Sequence, residues 1–241
     1  LAPVLLHNLE RLAGSSPDMT SADLSHLKPV QRLPRFNTRI LPVIVVTRAE
    51  QAVPLAHALI AGGIDAMEIT LRHEAGLAAI EQVARHVPEM VVGAGTLTRA
   101  SDFARVKDCG ARFALSPGLT PELAGAARQC EMPYVPGVMT PSEVMQASDW
   151  GFGLLKLFPA VQAGGLGMLK AMAGPLGHVR FCPTGGVSAG NLLEYLSQDN
   201  VEMVGGSWLT PSDWIEDNRW TDITHLAKEA TDLALSLSAK P

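Results

Sequence analysis

At 241 residues, 47% of them hydrophobic and 18% charged, the chain can bury the core of a single domain without disulfides or metals and is too apolar for a long disordered segment. Its formal net charge of -5 and scattered basic residues exclude the broad positive face that binding a phosphate backbone needs, so nucleic acid is not an expected partner. Cys109, Cys130 and Cys182 form no CxxC pair and no cluster with histidine at metal-ligand spacing, which reads as reduced thiols in a cytosolic protein; the longest apolar runs are far shorter than the roughly 20 residues of a membrane-spanning helix.

Residues 1–39 stand apart from the rest of the chain. Ser15, Ser16, Pro17 and Pro34 break them into two weakly amphipathic pieces, which read as an appended N-terminal helical extension that covers the bottom of the main domain or contacts another subunit. No basic segment precedes the apolar Leu1–Leu6, and Asn8, Glu10 and Arg11 follow soon after, so a secretory leader is not expected. From residue 40 to 241 short β-type runs alternate with Ala/Leu-rich helical stretches. The runs are Ile40–Val46, Ala66–Thr70, Met90–Ala94, Arg112–Ser116, Tyr134–Val138, Leu154–Phe158, Val179–Cys182 and Glu202–Gly205. Helical stretches end on their own stop signals, Ala49–Ala61 at Gly62 and Gly63, and Ala75–His86 before Pro88. Eight strand-helix units at near-regular spacing predict an α/β fold of the (β/α)8 TIM-barrel type. An open doubly wound sheet is the rival, but its GxGxxG fingerprint is missing where Val46 runs into Thr47, Arg48 and Ala49.

A barrel of this kind carries its active site at the carboxyl ends of the strands, so polar residues there are the candidates. In the second strand Glu68, Thr70 and Arg72 alternate with Met67, Ile69 and Leu71, which aims a carboxylate, a hydroxyl and a guanidinium at the barrel mouth. The same pattern also fits a structural ion pair between Glu68 and Arg72. In the sixth strand Lys156 stands among Leu154, Leu155, Leu157, Phe158 and Pro159; desolvation favours the neutral amine, the form that attacks a carbonyl, although a lysine at a strand end also snorkels to water. After the seventh and eighth strands come two glycine-rich turns, Pro183-Thr184-Gly185-Gly186 and Gly205-Gly206-Ser207. Such turns let backbone N–H groups approach an anion, and a helix N-terminus at Ser188–Asn191 would add a favourable dipole, so a phosphate-bearing substrate is implied.

The motifs PVIVV (Pro42–Val46), EITLR (Glu68–Arg72), GAGT (Gly93–Thr96), SPG (Ser116–Gly118), KLFPA (Lys156–Ala160), RFCPTGG (Arg180–Gly186) and GGSW (Gly205–Trp208) together resemble the class I 2-keto-3-deoxy-6-phosphogluconate aldolases and the related 4-hydroxy-2-oxoglutarate aldolases, over Leu41–Leu209. The resemblance implies Lys156 as the Schiff-base lysine and Glu68 as the general acid/base. It implies Arg72 as the clamp on the substrate carboxylate, and Thr96, Pro117, Phe158 and Thr184 as the walls of the keto-acid pocket. Gly185, Gly186, Gly206 and Ser207 would cradle the phosphate. It further implies a cytoplasmic homotrimer of the Entner-Doudoroff pathway, with a phosphorylated keto acid as substrate and neither a metal nor an organic cofactor.

His73, Met139 and Val161 depart from the family pattern without removing a catalytic group, and the intact CPTGG segment favours the gluconate substrate over its galactonate epimer. Rival substrates are that epimer and 4-hydroxy-2-oxoglutarate. The rival class is a noncatalytic phosphate-ligand barrel or an isomerase, neither of which requires a lysine in an apolar strand.

Overall fold

In a computed structural model of the chain, residues 28–238 are described. The two amphipathic pieces read in the N-terminal extension fall largely on residues 1–27 and lie outside the described residues. Within them, β1 (Ile40–Ile44), β2 (Ala66–Thr70) and β3 (Val91–Gly95) are buried at every position, as parallel strands covered on both faces must be. They are followed by β4 (Ala114–Leu115), β5 (Tyr134–Val135), β6 (Gly137–Val138), β7 (Leu154–Leu157), β8 (Arg180–Phe181) and β9 (Val204–Gly206). The run read as one fifth strand is divided at Pro136, which has no N–H for the ladder, although its carbonyl still accepts from Lys156 N at 2.8 Å.

Helices alternate with these strands: α1 (Ala52–Ala61), α2 (Gly76–His86), α3 (Ala100–Asp108), α4 (Pro121–Gln129), α5 (Pro141–Asp149), α6 (Gly165–Ala173), α7 (Leu192–Leu196), α8 (Ser212–Glu216) and α9 (Trp220–Ser238). Local chemistry fixes their ends. The first expected helix opens as a 3-10 turn over Ala49–Gln51 and stops at Gly62 and Gly63, whose N–H groups return to carbonyls of the last turn. At the starts of α4 and α5, Thr120 and Thr140 accept from the N–H of Leu123 and Glu143, each with proline at the first helical position. The Glu143 carboxylate completes a capping box on Thr140 N at 2.9 Å.

All strand pairings are parallel. One sheet runs β5-β4-β3-β2-β1-β9 and a second runs β6-β7-β8, and the bridges Phe181↔Val201 and Thr184↔Gly205 link β8 to the approach and the strand of β9. The result is an α/β architecture, a curled parallel sheet with helices on its convex side. Alternation along the strands divides the apolar residues into two bodies. Ile40, Ile44, Met67, Ile69, Val92 and Ala94 pack toward the helices, whereas Leu41, Ala66, Val91, Phe113, Leu115, Val135, Cys182 and Met203 fill the concave side. Gly93 makes room for the largest of these, since a Cβ there would fall into the Phe113 ring.

The described part of the extension, residues 28–39, contains no helix and lies at the end of the sheet where the strands begin. Leu33 and Phe36 pack on the concave cluster, Phe36 with its ring 6.0 Å from that of Phe113. Asp65, just before β2, accepts from Asn37 N at 2.9 Å, and Arg39 Nε donates to Glu202 O at 2.9 Å. This plugs the end of the sheet opposite the strands' carboxyl termini and leaves the latter free for chemistry. Truncating the plug by Phe113→Ala is expected to cost about 3–5 kcal/mol of unfolding free energy in urea, the usual range for a buried aromatic. A loss below about 1 kcal/mol, the size of a surface change, would mean that the concave cluster is not a packed core.

Candidate active site

The alternation that sends Met67 and Ile69 toward the helices sends Glu68 to the concave side, and Lys156 of β7 likewise faces inward. The two strands are not neighbours, yet the side chains meet across the concavity: Lys156 Nζ donates to Glu68 Oε1 at 2.9 Å and to Oε2 at 3.2 Å. Their side chains are 4% and 0% exposed. The two alternatives open at the level of sequence, a Glu68–Arg72 ion pair and a solvent-seeking Lys156, both give way to this buried pair. Taking two charges out of water costs several kcal/mol per ion and is offset only by close pairing, so such a pair marks a site better than it explains stability. The Phe158 ring adds a cation-π contact, its centroid 5.5 Å from Nζ.

Glu68 occupies the space that a side chain at position 95 would need, because a Cβ on Gly95 of the neighbouring β3 would land on its carboxylate. Gly137 on β6 is in register with Lys156 and makes the same kind of room for the Pro117 carbonyl, which brings Pro117 to the strand beside the lysine. The Pro117 turn is held by buried hydroxyls: Ser116 Oγ donates to Gly118 O at 2.6 Å and is hydrogen-bonded to the Tyr134 hydroxyl. Burial pushes the Tyr134 phenol far above its ordinary range, so this network stays protonated.

Thr70 does not join the pocket. Its hydroxyl donates instead to Ile44 O of β1 at 2.9 Å. Arg72 lies beyond it, and its Nε donates to Thr96 Oγ1 at 3.3 Å. Thr96 has φ 62°, left-handed backbone that a β-branched residue adopts only when its surroundings hold it there. Arg72 and Thr96 line one side of a cavity of about 300 Å³ whose other walls include His73, Thr98, Arg99 and Arg105.

On the opposite rim, Thr184 Oγ1 donates to Cys182 O at 3.3 Å and fills the space over Gly205. Ala160 N and Val161 N donate to Thr184 O and Gly185 O at 2.8 and 3.1 Å, which stitches the segment after Lys156 to the first glycine turn; Gly205 N donates to Pro183 O at 2.9 Å and brings in the second. Gly185, Gly186, Gly206 and Ser207 therefore sit at adjoining strand ends. The helix expected to start within Ser188–Asn191 does so at the end of that span: α7 begins at Leu192 with Asn191 at its N-cap, and the Asn191 side chain ties the turn, to Gly186 O at 3.0 Å and Ser188 N at 2.8 Å. Val161, which departs from the family pattern, lies against Gly186. Sequence reasoning missed Gly95, Tyr134 and Cys182. Gly95 and Cys182 stand inside quoted motifs, but the contacts that give them weight join distant strands. Among the described residues no group of three or more His, Cys, Asp or Glu is placed to hold a metal ion.

Comparison with known proteins places the chain among a single group of enzymes. The KDPG and KHG aldolase family profile matches residues 35–226. The KHG/KDPG aldolase of Escherichia coli K12 is 48% identical over 193 residues, covering 80% of this chain and 91% of its own. The 2-dehydro-3-deoxy-phosphogluconate aldolase of Pseudoalteromonas atlantica is 48% identical over 191 residues, 79% and 89% of the two chains. The crystal structure of the KDPG aldolase of Legionella pneumophila, with pyruvate captured at low pH as a covalent carbinolamine intermediate, superposes with a TM-score of 0.79 at 44% identity and covers 80% of this chain and 94% of its own.

Burial pushes the Cys182 thiol up to about 12, against the lowering influence of the Lys156 charge, so it is a thiol and not a thiolate at neutral pH. Iodoacetamide at pH 8 should leave Cys182 unmodified in the folded protein and label it once urea unfolds the chain, as read by peptide mass spectrometry. Equal labelling in both states would contradict the burial of this side of the site.

Proposed function

The chain belongs to the KDPG and KHG aldolase family, and we propose that Lys156 is its Schiff-base nucleophile and Glu68 its proton shuttle. It is a carbon–carbon lyase that cleaves 2-keto-3-deoxy-6-phosphogluconate (KDPG) to pyruvate and glyceraldehyde 3-phosphate, with 4-hydroxy-2-oxoglutarate (KHG) as the alternative substrate. The observation that carries the assignment of roles is the contact of Lys156 Nζ with both Glu68 oxygens in the buried concavity.

From that contact a sequence of steps can be built. Transfer of a proton from Nζ to Glu68 frees the amine, which attacks the C2 carbonyl to give a carbinolamine; Glu68 returns the proton to the carbinolamine hydroxyl, which leaves as water, and the iminium so formed accepts electrons from the C3–C4 bond. Glu68 takes the C4 hydroxyl proton, directly or through water, as that bond breaks and glyceraldehyde 3-phosphate departs. The remaining enamine is protonated at C3, and one water hydrolyses the imine to pyruvate and restores the lysine. The carbinolamine captured in the Legionella enzyme supports the same intermediate here. Arg72, held by Thr96, would fix the carboxylate with two parallel N–H groups, which orients better than a point charge. Thr96, Pro117, Phe158 and Thr184 would line the keto-acid pocket, and Gly185, Gly186, Gly206 and Ser207 would take the phosphate. This chemistry calls on no metal or organic cofactor.

The strands are read as closing into an eight-stranded barrel with β5 and β6 as one broken strand, a reading supported by the Lys156–Glu68 contact across the concavity and by Glu202 N, on the approach to β9, donating to Phe181 O of β8 at 3.0 Å. The homotrimer, the cytoplasmic setting and the preference for the gluconate epimer come to this chain from the family resemblance alone.

Two measurements test the roles. Borohydride reduction in the presence of pyruvate should leave a stable adduct on the peptide containing Lys156, and an adduct on any other lysine would falsify the nucleophile. In a lactate dehydrogenase-coupled assay with KDPG and its C4 epimer side by side, the gluconate form should be strongly preferred. Lys156→Ala should abolish turnover and Glu68→Gln should slow it by about 10²–10⁴-fold, the usual weight of a general acid/base. Turnover surviving Lys156→Ala would reject the mechanism.

A further inference from the structure

The two halves of the phosphate cradle are anchored differently. Gly185 and Gly186 belong to a turn whose carbonyls accept from Val161 N and the Asn191 side chain. Gly206 and Ser207 lead instead into a loop, 207–211, that ends at α8. Inside that loop Thr210 N donates to Ser207 O at 3.2 Å, Leu209 is buried, and the Trp208 indole covers the face of Gly206 where a Cβ would otherwise stand.

The far end of this segment is tied down by Glu216, the last residue of α8. Its Oε1 accepts from Thr47 Oγ1, and its Oε2 accepts from Arg48 Nη1 at 2.7 Å. Thr47 and Arg48 lie shortly beyond β1 and are themselves fixed from below, both N–H groups donating to Oε1 of Gln51, at 3.3 and 3.1 Å, and Gln51 is only 2% exposed. Since β1 pairs directly with β9 through Pro42↔Gly206, the contacts close a ring: β9, the 207–211 loop, α8, Glu216, Thr47 and Arg48, β1, and back to β9. The hydrogen bond from Thr47, together with Arg48, holds the Glu216 carboxyl below its ordinary range, so it is charged at neutral pH. Arg48 and Glu216 are open to water, and an exposed ion pair contributes little to folding. Breaking the Arg48–Glu216 pair is therefore expected to cost little folding stability.

We propose that the Glu216 clamp on Thr47 and Arg48 is a positioning device that sets Gly206 and Ser207 for the substrate phosphate, a proposal that rests on reading these residues as half of the phosphate cradle. Glu216 touches no reacting atom. Releasing it lets the loop sample other positions, which weakens binding of the phosphorylated end and leaves the chemistry at Lys156 untouched.

The experiment compares Glu216→Gln, Thr47→Val, the conservative Thr47→Ser, and Ser207→Ala with the unaltered enzyme. Two readouts are taken, steady-state KM and kcat with KDPG, and the rate of borohydride-trapped imine formation with pyruvate, which carries no phosphate. The expected result is a KM for KDPG raised roughly three- to tenfold in Glu216→Gln and Thr47→Val, with kcat little changed and the pyruvate rate unchanged. Thr47→Ser should behave as the unaltered enzyme, and Ser207→Ala should raise KM as well. A raised KM in Ser207→Ala with none in the Glu216 and Thr47 variants overturns the clamp and leaves the cradle standing. Equal damage to KM and to the pyruvate rate overturns it in favour of a general structural role. An unchanged KM in Ser207→Ala defeats the cradle reading and the clamp together. Should Glu216→Gln fail to fold, Thr47→Val, which removes a single hydrogen bond, carries the same decision.

Discussion

Everything else in this molecule is arranged around one ammonium and one carboxylate that meet out of water. Between them Lys156 and Glu68 satisfy each other at 2.9 and 3.2 Å, and neither has an aqueous alternative. Replacing such a pair with well-packed apolar side chains is often neutral or stabilising, whereas removing one partner costs about 3–5 kcal/mol because the other is stranded. Stability alone is thus a poor reason for the pair to exist, and its presence in the middle of the concave face makes sense as chemistry. Under the roles proposed above, a pair that passes a proton between its members would hold the amine ready and the acid/base loaded at once.

That demand explains how the interior is divided. The aromatic and aliphatic plug of Phe36, Phe113, Leu41 and Leu33 fills the end where the strands begin, and glycines and small polar groups take over toward the other end. Bulk and chemistry occupy opposite ends of the same strands. Stability is supplied where no substrate has to enter, and the room for a substrate is made by withholding side chains.

Much of this was legible in the sequence. Each of the eight β-type runs contains strand in one of the two sheets, the fifth split at Pro136, because continuous apolar runs between glycine and proline stops are what a doubly covered parallel strand requires. Lys156 and Glu68 stood out by type and by their apolar neighbours. Their meeting did not, since they lie 88 residues apart and only the curl of the sheet brings them together. Strand alternation placed Thr70 with Glu68 and Arg72, but a hydroxyl within reach of a backbone carbonyl bonds to it, and Ile44 O of the neighbouring strand stands there. The backbone of Thr96 was illegible for a different reason: nothing in a β-branched residue announces a left-handed conformation, which here is imposed by the fold around it. The helix expected to start within Ser188–Asn191 does so only at the end of that span, where the Asn191 side chain hydrogen-bonds backward to its own turn, a local competition that composition does not reveal.

The contact between Gly95 and the Glu68 carboxylate bears on how this sequence can drift. Each missense change at position 95 adds a Cβ where a carboxylate oxygen already stands, so the position has no neutral neighbours in sequence space. The restriction lifts only once Glu68 is itself replaced by a shorter side chain, so drift at this pair of positions runs in one order, 68 before 95, and a side chain at position 95 beside an intact Glu68 marks a strand that has had to move.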